Sequence, residues 1–212
     1  LYGRICITEL RSLQGASVGA AWEALQAQVR AEHPAIESWL LSLWGEHLER
    51  QGQTAQALQR YRQSLALEAD PYTALAKADL LLRLGRGPEA LSVLSAAPDT
   101  DAVLLRRARA HRMTNQPEWK TLRAELLNRQ QAQERRGEQL DAHAREYALT
   151  ALWLLDDAAQ AHRWAQRNLA LQKEPVDWRL ALDVARQAGD RKGFFQLRAR
   201  LEVSGLIDKS LP

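Results

Sequence analysis

Residues 38–98 read SWLLSLWGEHLERQGQTAQALQRYRQSLALEADPYTALAKADLLLRLGRGPEALSVLSAAP. Apolar residues recur in this stretch at helical spacing, as Leu41, Trp44 and Leu48 do, and an alternation of period two is absent. Pro71 opens a new apolar-periodic run, which fits the tolerance of the first helical turn for proline. The stretch therefore predicts consecutive helices joined by short turns.

The residues that end the first helix of each predicted pair recur along the whole chain. Their separations are 33, 30, 41 and 33 residues, and the long interval contains Pro117 to Arg136, which reads as one extended helix. A period in the thirties is typical of stacked helix-turn-helix repeats. The turn residues are Gly52, Gly85, Asn115, Asp156 and Gly189. We expect a single domain over residues 1–212, with helix pairs at 1–33, 35–69, 71–97, 99–137, 139–173 and 175–204.

Composition agrees with an all-α chain, because Ala, Leu, Gln, Arg and Glu dominate while strand-forming residues are scarce. The single cysteine, Cys6, excludes an internal disulfide and a cysteine-based zinc site. No apolar run approaches the roughly 20 residues that a membrane span needs. A start at Leu1 suggests a processed chain or an excised fragment.

Small and large residues alternate in these helices in a characteristic order. Trp44 and Gly45 stand on one helix, and Ala57 and Tyr61 follow at matching positions on the next. This order resembles that of the tetratricopeptide repeat family, in which small residues allow two helices to approach closely. The next pair repeats it with Ala78, Leu81, Gly85, Ala90 and Leu94. The resemblance implies a right-handed superhelical α-solenoid of about five to six antiparallel helix pairs.

A looser resemblance concerns the stretch from Arg135 to Pro175, which is similar to the C-terminal part of uncharacterised bacterial repeat proteins. Members of that group are often exported. This resemblance favours a periplasmic location over a cytoplasmic one.

Signatures of catalysis are scarce in the sequence. The five histidines are not spaced as a helical metal pair, so we interpret them as solvated or groove-lining side chains. Asp156 and Asp157 read as the end of one helix and the cap of the next. We therefore expect no enzyme activity, no metal site and no small-molecule cofactor.

In the tetratricopeptide family the first helix of each pair lines a concave groove, and counting back from each turn residue predicts its lining. Arginines there would accept carboxylates, and aromatic residues would bury apolar side chains of a partner. The predicted groove residues are Trp39, Glu46, Tyr72, Asp79, Leu82, Arg109, Arg112, Glu146, Trp153, Arg179 and Arg186. The remaining tryptophans fall on apolar stripes and are expected in the core, namely Trp22, Trp44, Trp119, Trp164 and Trp178.

These features predict a non-catalytic scaffold that binds a protein or peptide partner. Two alternatives stay open, a nucleic-acid-binding helical repeat and a self-assembling structural subunit that forms homo-oligomers. Nucleic-acid binding is disfavoured because Glu46, Asp79 and Glu146 interrupt the basic stripe that it needs. The formal net charge of +3 also shows no dense basic excess.

Overall fold

The computed structural model describes residues 1–29 and 33–212, and in these ranges the chain is all-α, as predicted. A 3₁₀ turn, Leu140–His143, precedes α9, and a π-helical turn, Ala151–Leu155, continues it. Residues 30–32, where the first predicted pair ends, lie outside the described residues. The helices are α1 (Tyr2–Leu13), α2 (Gly19–Val29), α3 (Pro34–Arg50), α4 (Thr54–Leu67), α5 (Pro71–Arg83), α6 (Gly87–Leu94), α7 (Asp101–Met113), α8 (Glu118–Arg135), α9 (Ala144–Thr150), α10 (Ala158–Leu171), α11 (Pro175–Gln187) and α12 (Arg191–Ser204).

The five predicted turn residues share one backbone conformation. Gly52, Gly85 and Gly189 have φ of 77°, 75° and 69°, and Asn115 and Asp156 have φ of 55° and 54°. A left-handed residue directly after a helix lets the chain fold back while the last carbonyl groups still receive hydrogen bonds. Asn and Asp are the non-glycine residues that best tolerate this conformation. The predicted helix-pair turns are therefore confirmed.

One turn differs from the others by a single residue. After α3, the N–H of Gln53 bonds to the carbonyl of Leu48, five residues back. After the π-helical turn, the N–H of Asp157 bonds to the carbonyl of Ala151, six residues back. The π turn accommodates one extra residue before the chain reverses. Together with the long helix α8, it lies within the 41-residue interval.

Hydrogen bonds establish that the helices of a pair are antiparallel. Ser38, near the start of α3, bonds to Ser64, near the end of α4, at 3.0 Å between the two hydroxyl oxygens. Arg145, near the start of α9, donates to the side chain of Gln172, directly after α10, at 2.8 Å. The antiparallel pairing that the sequence predicts is confirmed for these two pairs.

The first helices of neighbouring pairs lie side by side. The Thr73 hydroxyl of α5 donates to the Ser42 hydroxyl of α3 at 2.9 Å. Arg145 of α9 forms an ion pair with Asp177 of α11 at 2.8 Å. Both bonds join the first helices of successive pairs, as expected for stacked helix-turn-helix repeats.

The chain divides into two compact units, residues 1–80 with 202–211 and residues 81–201 with Pro212. The core of the first unit contains Trp22, Leu40 and Tyr61, which are fully buried. The core of the second unit contains Leu105 and Leu154. A single continuous domain and a right-handed superhelix stay predictions.

Four of the five tryptophans expected in the core are buried there, namely Trp22, Trp44, Trp164 and Trp178. Trp119 is a correction, because it is only half-buried and lies beneath the guanidinium groups of Arg112 and Arg123. Within residues 1–29 and 33–212, no helix is long and apolar enough to cross a membrane.

Candidate ligand-binding surfaces

A cavity of about 500 Å³ opens in the first unit between α3 and the start of α5. Its walls include two predicted groove residues, Trp39 from α3 and Tyr72 from α5. Tyr72 is 57 % exposed, and the half-buried ring of Trp39 lies against Tyr2 with ring centroids 5.8 Å apart. The structure therefore brings together two aromatic residues that stand 33 positions apart in the sequence.

Local hydrogen bonds hold the floor of this cavity in place. Asp70 caps α5, because its carboxylate accepts from the Thr73 N–H at 2.8 Å and from the Thr73 hydroxyl at 2.6 Å. The bond from Thr73 to Ser42 then joins the start of α5 to α3. Ser42 and Thr73 are both buried, and their hydroxyl groups are hydrogen-bonded to each other. This bond fixes the start of α5, which carries Tyr72, against α3, which carries Trp39.

Carboxylates lie at the cavity as well. Glu68 and Asp70 belong to its lining, and Glu68 is exposed at the end of α4. No hydrogen bond or ion pair to the side chain of Glu68 is found within the described part of the chain. The cavity thus combines apolar aromatic walls with negative charge at its edge.

Behind Tyr72 lies Glu46, another predicted groove residue. Burial raises the pKa of Glu46 to about 7, while a hydrogen bond from Tyr72 lowers it and the charges of Glu9 and Glu49 raise it further. Its Oε2 lies 3.8 Å from the guanidinium of Arg50. Glu46 is therefore part of a crowded carboxylate cluster and not a freely solvated groove residue.

A buried polar chain next to this cluster was missed by the sequence analysis. Arg50 donates to Glu9 at 2.8 Å and to the Ser12 hydroxyl at 2.7 Å, and Ser12 lies 2.7 Å from Nδ1 of His47. Because Ser12 accepts from Arg50, its own proton is free to go to the neutral ring of His47. Burial and the charge of Arg50 lower the pKa of His47 to about 4. The chain ties α1 to α3.

The interpretation of all histidines as solvated or groove-lining is therefore wrong for His47, which is 6 % exposed. A Ser–His hydrogen bond is also an element of nucleophilic catalysis. Here the Ser12 side chain is fully buried and its oxygen is already bound by Arg50. Only the i, i+3 spacing of His47 and Arg50 was visible in the sequence, and their partner on α1 was not.

In the second unit, the arginines predicted to bind carboxylates differ in whether their guanidinium groups already have a partner within the chain. Arg112 forms an ion pair with Asp156 at 2.6 Å and donates to the Trp153 carbonyl at 2.6 Å. Arg186 pairs with Asp183 at 2.8 Å. Both guanidinium groups thus have partners within the chain, and their binding of a ligand's carboxylates stays a prediction.

Arg109 differs from these two residues. Its guanidinium lies 5.9 Å from the ring centre of the half-buried Trp153, and no ion pair or hydrogen bond to it is found within the described residues. Burial and the nearby charge of Arg112 lower its pKa, although Asp156 acts in the opposite direction. Of the arginines predicted to line the groove, Arg109 is the one best placed to bind an anion.

The other predicted groove residues are less accessible than expected. Leu82 is a correction, since it is 6 % exposed and belongs to the buried residues of the second unit. Glu146 lies 4.0 Å from Arg106, and Asp79 and Arg179 also interact with other groups of the chain. Across the described ranges, no group of three or more His, Cys, Asp or Glu side chains is arranged to hold a metal ion.

Comparisons with known proteins add little to this geometry. No family model matches the chain, and no curated protein matches it. One solved structure, described as the crystal structure of PilW, a widely conserved type IV pilus biogenesis factor, is 14 % identical to the chain. The alignment covers 98 % of this chain and 96 % of that chain, with a TM-score of 0.47. A likeness at this score carries no argument, so membership of the tetratricopeptide family stays a prediction.

Proposed function

We propose that this chain is a non-catalytic binding protein that holds a segment of a partner protein against its first helices. The observation that carries the proposal is the cavity bounded by Trp39 and Tyr72. Aromatic side chains at a concave surface are the usual anchors of protein interfaces, because they bury a large area at a small cost in side-chain entropy. A cavity of this size has room for one or two side chains of a bound segment.

The titratable groups with the largest pKa shifts support a structural rather than a chemical role. Glu46 and His47 are both shifted, yet both belong to the buried network that joins α1, α3 and α5. Perturbed groups at a catalytic site would instead converge on an open pocket. Nucleic-acid binding is less well supported at this cavity, because Glu68 and Asp70 would repel a phosphate backbone.

The test uses the full chain and a random dodecapeptide library displayed on phage. Enriched peptides are synthesised and titrated against wild type, Trp39→Ala and Tyr72→Ala by fluorescence anisotropy. We expect each variant to weaken binding by about tenfold or more, as for an aromatic anchor residue. Phe195→Ala removes another exposed aromatic ring, from α12, and is expected to change the affinity less than about twofold.

Two further measurements keep the assignment falsifiable. Tyr72→Phe retains the ring and removes the hydrogen bond to Glu46, so retained affinity would identify the ring as the anchor. Thermal unfolding of Trp39→Ala shows whether the loss of its contact with Tyr2 unfolds the first unit. Peptides that bind equally well to folded Trp39→Ala and Tyr72→Ala would contradict the proposal.

Self-assembly is the second candidate, and one observation favours it. Helix α1 exposes three apolar side chains, those of Tyr2, Ile7 and Leu10. Light scattering over a range of concentrations tests it, since an Ile7→Lys/Leu10→Lys variant would be monomeric where wild type associates. The periplasmic location stays a prediction, which fractionation of the source cells with an antibody would test.

A further inference from the structure

Most tryptophans of this chain carry an arginine over the ring. The guanidinium of Arg60 lies 3.6 Å from the ring centre of Trp44, and that of Arg167 lies 4.5 Å from the ring centre of Trp164. Trp119, Trp153 and Trp178 have similar arginine neighbours at 5.0 to 5.9 Å. A cation over an aromatic face is attracted by the negative potential of the ring. Arginine–tryptophan stacking is therefore the usual arrangement in this protein.

Trp39 departs from that arrangement. Trp22 also has no arginine over it, but it is fully buried and has no accessible face. Trp39 is half-buried, lines an open cavity and contacts only the ring of Tyr2 among the aromatic and cationic groups described. In the described chain it is thus the partly accessible tryptophan whose ring lacks an internal cation.

The charge of the cavity favours the same kind of group. Among the residues that the structure describes, its lining contains two carboxylates, Glu68 and Asp70, and no Lys, Arg or His side chain. The Asp70 carboxylate is bonded to Thr73, whereas the Glu68 side chain is exposed. A cation between Trp39 and Tyr72 would contact aromatic faces while its charge meets these carboxylates.

We propose that the cavity accepts the side chain of a lysine or arginine from the partner segment. This inference rests on the proposed function, and it adds the chemistry that the partner presents. A volume of about 500 Å³ leaves space for the apolar stem of such a side chain and for part of its neighbours. The stem packs on the aromatic walls, and the charged end reaches the carboxylates at the edge.

The experiment compares matched peptides against the full chain. Enriched dodecapeptides are made in pairs in which arginine is replaced by citrulline, or lysine by norleucine, so that shape is nearly conserved and charge is lost. Binding of the charged member is expected to be about tenfold or more tighter, the range for a partly desolvated cation on an aromatic ring. It should also weaken with added salt, whereas binding of the neutral member should change little.

A charge-matched pair of protein variants locates the effect. Glu68→Gln is expected to weaken the charged peptide about three- to tenfold and to leave the neutral peptide unchanged. Glu202→Gln removes the same charge from an exposed position of the first unit that does not line the cavity, so its effect should stay below about twofold.

The outcomes separate this inference from the proposed function. If Trp39→Ala abolishes binding while neutral peptides bind as tightly as charged ones and Glu68→Gln has no effect, the cavity binds a partner but takes an uncharged side chain. That result overturns the inference alone. If no enriched peptide depends on Trp39 or Tyr72, both proposals fail.

Discussion

The ring of Tyr61 lies directly over Gly45, and a Cβ atom added at Gly45 would stand 2.6 Å from the ring carbon Cε1. Tyr61 is fully buried, and its hydroxyl donates to Glu49 at 3.2 Å, so both ends of its side chain are held by α3. The glycine is therefore required by packing and not by backbone conformation. This contact sets how closely α3 and α4 approach each other.

Gly45→Ala is expected to lower the free energy of unfolding by about 1–3 kcal/mol, because overpacking outweighs the gain in helix propensity. Gly3→Ala is the control, since Gly3 also lies in a helix but has no atom within 4 Å of the added Cβ. It should leave stability unchanged or raise it by up to about 1 kcal/mol. Urea unfolding followed by circular dichroism measures both, and equal effects would contradict the close packing of Tyr61 on Gly45.

The carboxylate of Glu46 predicts a pH dependence of stability. Its pKa is about 7 in the folded protein and near 4.5 in the unfolded chain. The folded state thus holds this proton more tightly, so the resulting stability is complete below pH 4.5 and is lost as the pH rises through 7. The free energy of unfolding of Glu46→Gln should equal that of wild type near pH 4.5. At pH 8 it should be higher than that of wild type by about 1–3 kcal/mol.

The measurement for Glu46→Gln is the difference in unfolding free energy from wild type between pH 4.5 and 8. Taking a difference matters because His47, with its pKa lowered to about 4, contributes the opposite trend in acid. Glu202→Gln provides the exposed control and should show no change with pH beyond a few tenths of a kcal/mol. A constant difference for Glu46→Gln at every pH would refute the raised pKa.

Two aspartates on α11, Asp177 and Asp183, should contribute very differently to the free energy of unfolding. Asp177 is buried and accepts from Arg145 at 2.8 Å, from Asn168 at 2.6 Å and from the Glu174 N–H at 2.9 Å. Asp177→Ala leaves these donors without their acceptor, and we expect a loss of about 2–4 kcal/mol in unfolding free energy. Asp183→Ala, on the same helix, removes a half-buried carboxylate that pairs with the exposed Arg186, and because burial raises the pKa of Asp183 and so opposes its charge, the loss should be less than about 1 kcal/mol. Similar losses from the two variants, measured by urea unfolding, would be inconsistent with this network.

Arg109 and Arg112 of α7 allow a comparison between an arginine that has hydrogen-bonding partners within the chain and one for which none is found in the described residues. Arg112→Gln removes the contacts with Asp156 and the Trp153 carbonyl and should destabilise the protein by about 1–2 kcal/mol. Arg109→Gln relieves repulsion between the two guanidinium groups and should change stability by less than about 0.5 kcal/mol. Thermal and urea unfolding measure the stability of both variants. A larger loss of stability in Arg109→Gln than in Arg112→Gln would contradict this assignment of their contacts.

Much of the fold could be predicted because it depends on interactions between near neighbours in the chain. The left-handed turn at Asp156 and the capping role of Asp157, whose carboxylate accepts from the Gln160 N–H at 2.8 Å, follow from the chemistry of aspartate at helix ends. Helix α8 likewise begins and ends within one residue of the stretch from Pro117 to Arg136. These features need no knowledge of distant residues.

The candidate site was predictable only in part. Trp39 and Tyr72 were found because helical period and repeat length place them at equivalent positions on successive first helices. Leu82 lies on the same stripe, yet it is buried, since period alone does not tell how closely a neighbouring helix packs. The engagement of Arg112 by Asp156 joins residues 44 positions apart, so local pattern holds no trace of it.

The sequence by itself determined the all-α class, the turn positions and the aromatic residues that face the cavity, because each follows from spacing along one helix or across one turn. Only the tertiary structure decided which charges remain available. It paired Arg112 with Asp156 and joined Ser12 to His47, and within residues 1–29 and 33–212 it placed no arginine over Trp39, although most other tryptophans carry one. Those outcomes depend on which helices approach each other and how closely, and such distances are set by the packing of the whole core.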